Sequence, residues 1–253
     1  MAAVKRLIIA DAHVGQQTGD AARMVNMLLE AQRLGVMEII YLGDAFQYLI
    51  GMSKFWTSGV REVMSTWREL RRAGVRIGVV EGNRDFFLDE PDVAGEVDWS
   101  GREHDFTSGA LCFRLVHGDK VNARDLQYRF WSRVSKSGAA RLWARLLPRR
   151  LAVAIVRGME ARLAVTNRRF RYFRPLDSLR VAAEQAWADG IDVLLWGHFH
   201  DPWEYRRDDR VAAILPAWLD TRRAALVDGD GDWRVVEENL TPPRAISTIN
   251  ECT

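Results

Sequence analysis

Five short apolar runs, each closing on residues that can hold a metal or move a proton, restrict this chain more than any other feature. "RLIIA" (6–10) leads into Asp11 and His13, "EIIYLG" (38–43) into Asp44, and "VRIGVVEG" (75–82) into Asn83. "ALCFRLVHG" (110–118) carries His117, and "DVLLWG" is followed by His198 and His200. Apolar runs of this length, closed by glycine or a polar residue, read as buried strands. Between them, 20–34 (stopped by Gly35) and 60–73 (stopped by Gly74) have the period of amphipathic helices, and a third helix is expected at about 176–189, ended by Gly190. The alternation of strand and helix predicts an α/β fold. The last fifty residues read as short strands, with "VDGDGDW" as a hairpin turn.

In α/β sheets, ligands bind beyond the carboxyl ends of the strands. Four of the five histidines stand at such ends: His13, His117, His198 and His200. The fifth, His104 in "GREHDF", is expected in a polar surface loop. Four imidazoles, the carboxylates of Asp11 and Asp44 and the amide oxygen of Asn83 suit borderline metals such as Mn, Fe or Zn better than an all-oxygen Mg site. Two such ions, roughly 3.5–4 Å apart, can supply an activated water and stabilise charge growing on a phosphoryl group. Asp44 is the natural bridging ligand, because a carboxylate can give one oxygen to each ion. Each short motif alone resembles an ordinary strand-to-loop turn. The full set, in order and always at a strand end, does not.

Composition narrows the setting. An apolar fraction of 48% supports a sizeable core, and two cysteines do not make a disulfide framework. Cys112 is expected in the core and Cys252 in a frayed tail. No apolar stretch has the form of a signal peptide or approaches the roughly 20 residues of a membrane span, so a cytoplasmic chain is expected. The net charge of +2 conceals a basic segment: from Arg124 to Arg174, thirteen Arg and one Lys face only Asp125 and Glu160, a local charge of +12. Its spacing is helical, with a break at Pro148. It also carries Phe130, Trp131, Leu142, Trp143, Leu146, Leu147, Val153, Ile155 and Val156, too many apolar groups for a solvated face. The expectation is one domain spanning 1–253 with an inserted basic and apolar helical lid at 122–175. Such a lid could lie on an anionic membrane surface or line a groove for acyl chains, and no nucleic acid is expected as partner.

The series D-x-H, G-D, G-N-x-D, H, G-H-x-H resembles the calcineurin-like metallophosphoesterases. Within them "GDAFQYLIG", the arginine of "GNRDFFL", and the "HGD" that precedes a lid with Asp125 and Tyr128 are most similar to the UDP-2,3-diacylglucosamine hydrolases of lipid A synthesis. The resemblance implies a four-layered α-β-β-α sandwich with two divalent ions, Mn²⁺ first among them. One ion would be held by Asp11, His13, Asp44 and His200, the other by Asp44, Asn83, His117 and His198. Asp44, His198 and Arg84 would stand closest to the chemistry, with Asp125 and Tyr128 on the substrate; the family's substrate-contacting lid lysines have no obvious match, and Arg168 and Arg169 occupy their neighbourhood as candidates for that contact. It further implies a nucleotide-linked lipid substrate and a place on the cytoplasmic face of the inner membrane. The chain departs from the family pattern at Ala12, where Leu is common, and at Asp201, where Arg is usual.

Arg84 can also be read by itself. A guanidinium binds phosphate through two parallel hydrogen bonds but donates no proton near neutral pH. It therefore favours a diphosphate, whose leaving group needs no strong acid, over an alcohol ester. The alternative is a structural Arg84 paired with Asp85. Two other functional readings stay open: a phosphodiesterase or phosphatase of a soluble nucleotide, and a non-catalytic scaffold of the same fold.

Overall fold

The computed structural model describes residues 4–121, 134–152, 154–156, 158 and 175–241. In chain order the elements begin β1 (Arg6–Ala10), α1 (Asp20–Arg33), β2 (Glu38–Leu42), β3 (Leu49–Ile50), α2 (Ser58–Arg72), β4 (Arg76–Val80), β5 (Asp85–Phe86) and α3 (Pro91–Ala94). There follow β6 (Trp99–Gly101), β7 (Glu103–Ser108), β8 (Leu111–Val116), α4 (Gly138–Leu146), α5 (Leu176–Ala188) and β9 (Val193–Trp196). The last are β10 (Trp203–Arg207), β11 (Arg210–Ile214), α6 (Trp218–Thr221), β12 (Ala224–Val227) and β13 (Trp233–Val236).

These strands make two large sheets. The first has the order β13-β12-β1-β2-β4-β6, with β1, β2, β4 and β6 parallel and β12–β13 an antiparallel hairpin. The second has the order β10-β11-β9-β8-β7, parallel through β11, β9 and β8 and antiparallel at both edges. Side chains alternate across each strand, so every central strand feeds two cores. Leu7, Ile9, Ile39, Tyr41, Ile77 and Val79 face α1 and α2. Ile8, Ala10, Ile40, Leu42 and Val80 face Phe113, Leu115, Val193 and Leu195 of the other sheet. The outer face of the second sheet, with Leu194, Trp196, Ala212 and Ile214, packs on Leu179, Ala183 and Trp187 of α5. The result is the four-layered α-β-β-α sandwich, and it explains why β1 and β2 read as unbroken apolar runs rather than alternating ones.

The helices follow their sequence period. Met24, Met27, Leu28 and Ala31 of α1 are buried, the spacing of one helical face. In α2 Val60, Val63, Met64, Trp67 and Leu70 do the same, and the Trp67 indole N–H donates to the Tyr41 hydroxyl at 3.1 Å. Burying each such aliphatic side chain contributes roughly 1.5–3 kcal/mol. Thr57 caps α2 by accepting from the Val60 amide.

Two expectations are corrected. His104 is not in a surface loop: it lies in edge strand β7, half-buried, its ring stacked 3.7 Å from that of Trp99. Strand β7 reads "EHDFTS", polar at alternate positions because one side faces water, so it lacks an apolar run. Cys112 is only half-buried, at the margin of the α5 core. Cys252 lies outside the described residues. No helix among the described residues is long and apolar enough to cross a membrane.

Candidate metal centre

The carboxyl ends of β1, β2 and β4 in one sheet and β8 and β9 in the other converge on one cluster. Asp11, His13, Asp44, His117 and His200 are buried there, each less than a tenth exposed. The backbone reaches the cluster by unusual turns. Asp11, His13, Asp44, His198 and His200 all have positive φ, between 44° and 69°, a region that residues other than glycine rarely adopt. Such conformations persist only where the surroundings enforce them, and they gather at functional sites.

Backbone hydrogen bonds supply that enforcement. The His13 amide donates to the Asp44 carbonyl at 2.9 Å, the His198 amide to Asp11 Oδ2 at 2.6 Å, and the Arg84 amide to Asp44 Oδ1 at 2.8 Å. Buried Asp85 accepts from the amides of Asp44 (2.9 Å) and Gly82 (2.8 Å), tying two loops together. The glycines before the ligands provide room: a Cβ at Gly43 would lie 2.1 Å from His117 Nδ1, and one at Gly82 would lie 2.3 Å from Asp44 Oδ1. The glycines of the G-D and G-N pairs are thus fixed by packing against the ligands.

The side chains form two overlapping groups. Asp11, His13 and His200 bring one ligand atom each within 4.8 Å of one another, and so do Asp11, Asp44 and His117. His13 Nε2 is 3.9 Å from Asp11 Oδ1 and 3.8 Å from Asp44 Oδ2, and His200 Nε2 is 3.6 Å from Asp11 Oδ1. On the other side Asn83 Oδ1 lies 3.1 Å from both His117 Nε2 and His198 Nδ1, and His117 Nε2 is 3.7 Å from Asp44 Oδ1. His117 Nδ1 faces the Leu42 carbonyl at 3.0 Å, which leaves Nε2 for the cluster. The seven residues expected from the sequence are therefore brought together, with Asp44 between the two sides.

This donor set fits divalent ions. Asp11 Oδ1 is buried and accepts no hydrogen bond, yet two imidazole nitrogens face it at separations too long for one. A cation among those atoms would satisfy all of them. The electrostatics agree. Burial raises Asp11, with the imidazoles of His200 and His117 opposing it. Burial pulls His117 down, but the carboxylates of Asp44, Asp11 and Asp119 outweigh it and bring the ring to about 9. Burial, reinforced by charge on His117, takes His198 down to about 4. A site holding acid and base residues so far from their ordinary ranges is one built around charge.

Arg84 points into this cluster rather than toward Asp85. Its Nη1 donates to Gln47 Oε1 at 2.8 Å, its Nε lies 3.6 Å from Asp44 Oδ2, and the guanidinium stands 5.9 Å from the Tyr48 ring centre. The structural pairing of Arg84 with Asp85 is thereby excluded, since Asp85 binds backbone amides. Sequence reasoning missed two residues here. Gln47 is a buried amide inside the apolar stretch "AFQYLI", and that incongruity was its signal. Asp220, 2.7 Å from His200 Nδ1, had no signal, because it lies far along the chain on α6.

Beside the centre, α4 packs Ala140, Ala144 and Leu147 onto Met52, Phe55 and Phe87, next to the two-stranded sheet β3–β5. Part of its basic charge is matched by the body of the protein. Arg141 pairs with Asp89, Arg145 with Glu90, and Lys136 with Glu81 and the Gly82 carbonyl. Lys54 donates to the carbonyls of Arg145 (2.7 Å) and Leu147 (2.8 Å) at the carboxyl end of α4. Leu142, Trp143, Leu146 and Leu151 point outward, each more than half exposed. Asp125, Tyr128, Phe130, Trp131, Val153, Arg168 and Arg169 lie outside the described residues.

Fold and cluster together have the form that a metal-dependent phosphoester hydrolase requires. No family model matches the chain. It is 29% identical to a protein of Azotobacter vinelandii named UDP-2,3-diacylglucosamine hydrolase, over 89% of this chain and 95% of that one. A protein of the same name from Neisseria meningitidis is 28% identical over 88% of this chain and 94% of its own length. Among solved structures, a dimetal phosphatase from Danio rerio aligns at 13% identity with a TM-score of 0.47, covering 94% of this chain and 100% of the other. The two curated relatives bear out the resemblance carried by the motifs.

Proposed function

We propose that the chain is a dinuclear-metal hydrolase that cleaves the pyrophosphate of UDP-2,3-diacylglucosamine into UMP and 2,3-diacylglucosamine 1-phosphate. One observation carries this reading: an arginine, not a general acid, faces the Asp44 carboxylate at the middle of a largely buried cluster of four histidines, two aspartates and an asparagine. The curated relatives, similar over most of their length, support the same substrate.

Two divalent ions, with Mn²⁺ as the proposed species, would polarise the phosphoryl group and activate water. Asp11, His13, Asp44 and His200 would hold one, and Asp44, Asn83, His117 and His198 the other. Arg84, steadied by Gln47, would grip oxygens of the diphosphate and balance charge as the bond breaks. A guanidinium is a poor proton donor to a leaving group, so the departing group must be a good one, and a phosphate is. The inserted segment 122–175 would act as a lid, with Asp125, Tyr128, Arg168 and Arg169 on the substrate. Its outward Leu and Trp side chains would rest on the anionic cytoplasmic surface of the inner membrane.

The test is to incubate the protein and Mn²⁺ with UDP-2,3-diacylglucosamine, UDP-N-acetylglucosamine and an aryl phosphate monoester. The acylated substrate should release UMP fastest by a wide margin, since each buried acyl CH₂ contributes roughly 0.8 kcal/mol. Equal UMP release from both UDP-sugars would favour a soluble-nucleotide enzyme. Cleavage of the monoester alone would overturn the pyrophosphatase reading.

A further inference from the structure

Asp220 does not belong to the ligand set, yet it makes one of the shortest side-chain contacts in the centre. Its Oδ2 lies 2.7 Å from His200 Nδ1, on the side of the ring away from Asp11. The opposite nitrogen, Nε2, faces Asp11 Oδ1 at 3.6 Å. The His200 ring is nearly covered, its side chain 5% exposed, and is stacked on that of His13 at 5.4 Å with 22° between the planes. The helix that carries Asp220 is fastened to the same centre: on α6 the Leu219 amide donates to the Asp11 carbonyl at 3.2 Å. The short helix is thus tied to the loop that carries Asp11 and His13, and from it the Asp220 carboxylate reaches the back of the His200 ring.

A neutral imidazole has one donor and one acceptor nitrogen, and whichever nitrogen keeps the proton decides which can bind a metal. A carboxylate can only accept. Placed against Nδ1, it retains the proton there and leaves the Nε2 lone pair free. We propose that Asp220 is a positioning residue that fixes the ring plane and tautomer of His200 so that Nε2 is presented to a cation shared with Asp11 and His13. The proposal rests on reading Asp11, His13 and His200 as metal ligands.

The experiment is calorimetric titration of the chelator-stripped full chain with Mn²⁺, for the parent, Asp220→Ala, Asp220→Asn, Asp220→Glu and His200→Ala. The parent should bind two equivalents. Asp220→Ala should bind one of them about 10–100-fold more weakly. Asp220→Asn, of the same shape, should lose less, because its amide oxygen can still accept from Nδ1–H, and it reports the same effect where the alanine variant does not fold. Asp220→Glu should recover part of the loss. A second readout needs no metal: two-bond ¹H–¹⁵N spectra should show His200 protonated on Nδ1 in the parent and a mixture of tautomers in Asp220→Ala. Parent-like Mn²⁺ affinity in Asp220→Ala, with one site lost in His200→Ala, would overturn the role of Asp220 and leave the metal reading standing. A parent that bound no Mn²⁺ would overturn the metal reading and this proposal together.

Discussion

The loops of the candidate metal centre and helix α4 lie beside each other and are organised by opposite rules. In the loops the polar groups point inward, the backbone is left-handed at five ligand positions, and the neighbouring strands hold every turn in place. In α4 the inward side is small and apolar, built from Ala140 and Ala144, while the large groups Leu142, Trp143 and Leu146 point to solvent. The loops hold five left-handed residues, each costing of order 1–3 kcal/mol that the folded body must offset, and such residues gather at functional sites. The helix instead leaves unburied the apolar surface that folding would normally use. Left-handed residues gathered on one cluster point to chemistry there, and the outward apolar face of the helix is the surface proposed above to meet a membrane. Each is informative because folding alone does not account for it.

The largest effect should come from breaking the first region. His198→Ala or His200→Ala removes one imidazole while ligands on other strands remain, so the fold should persist. Turnover should fall by on the order of 10³ or more, about 4 kcal/mol at 1.4 kcal/mol per decade. Stripping the parent with a chelator should have the same consequence, and adding Mn²⁺ should restore the parent but not the variants at equal concentration. Unimpaired turnover in either variant would dissolve the contrast between the two regions.

Arg84→Lys should have the next largest effect. Charge is kept but the two-pronged grip and the hydrogen bond to Gln47 Oε1 are lost. A drop of about 10–100-fold in kcat/KM is expected, with Mn²⁺ content unchanged. Gln47→Leu, which leaves the guanidinium in place but unsteadied, should show part of the same loss. An Arg84→Lys protein emptied of metal would assign the arginine to the architecture of the centre instead.

A smaller, graded effect follows from pH. His117 is held protonated up to about 9, because Asp44, Asp11 and Asp119 outweigh the opposing effect of burial. A metal needs the neutral ring, so binding at pH 7 must displace that proton. Proton uptake opposes metal binding, so affinity should rise by up to about tenfold per pH unit between 7 and 9 and then level off. Calorimetry in buffers of different ionisation enthalpy would count the released proton directly. Affinity that is flat across this range would show that His117 is already neutral before the ion arrives.

The sequence displayed the residues of the cluster more completely than the elements that support them. Asp11, His13, Asp44, Asn83, His117, His198 and His200 were legible because each follows an apolar run, and central strands buried on both faces announce themselves. Strand β7 was hidden because an edge strand with one wet side has no such run, and that displaced His104 from its true place on Trp99. The two-residue strands β3 and β5 are too short to carry a period. Asp220 and Gln47 touch the centre from 20 and 37 residues away from their partners, a distance that pattern reading cannot cross. The basic segment was legible as a composition, but its charges were not. Arg141, Arg145 and Lys136 are taken up by Asp89, Glu90 and Glu81, pairings that no spacing in the sequence announces.

The subtlest prediction concerns the outward face of α4. Trp143 and Leu146 are 59% and 73% exposed, so Trp143→Ser with Leu146→Ser removes little buried surface. Stability should change by no more than about 0.5 kcal/mol per substitution, the usual range for surface positions. By contrast Ala144→Asp, which places a charge in the contact with Met52, Phe55 and Phe87, should detach the helix. If the outward face meets a membrane, the double-serine protein should bind anionic vesicles several-fold more weakly than the parent. The residual binding should still weaken with salt, because exposed Arg149 and Arg150 remain. Its activity on a soluble UDP-sugar should be unchanged, and its preference for the diacylated one should narrow. Sedimentation with vesicles of zwitterionic and anionic lipid separates the apolar contribution from the charged one. Vesicle binding untouched by the two serines would return this face to ordinary exposed surface, and the contrast would then rest on the metal centre alone.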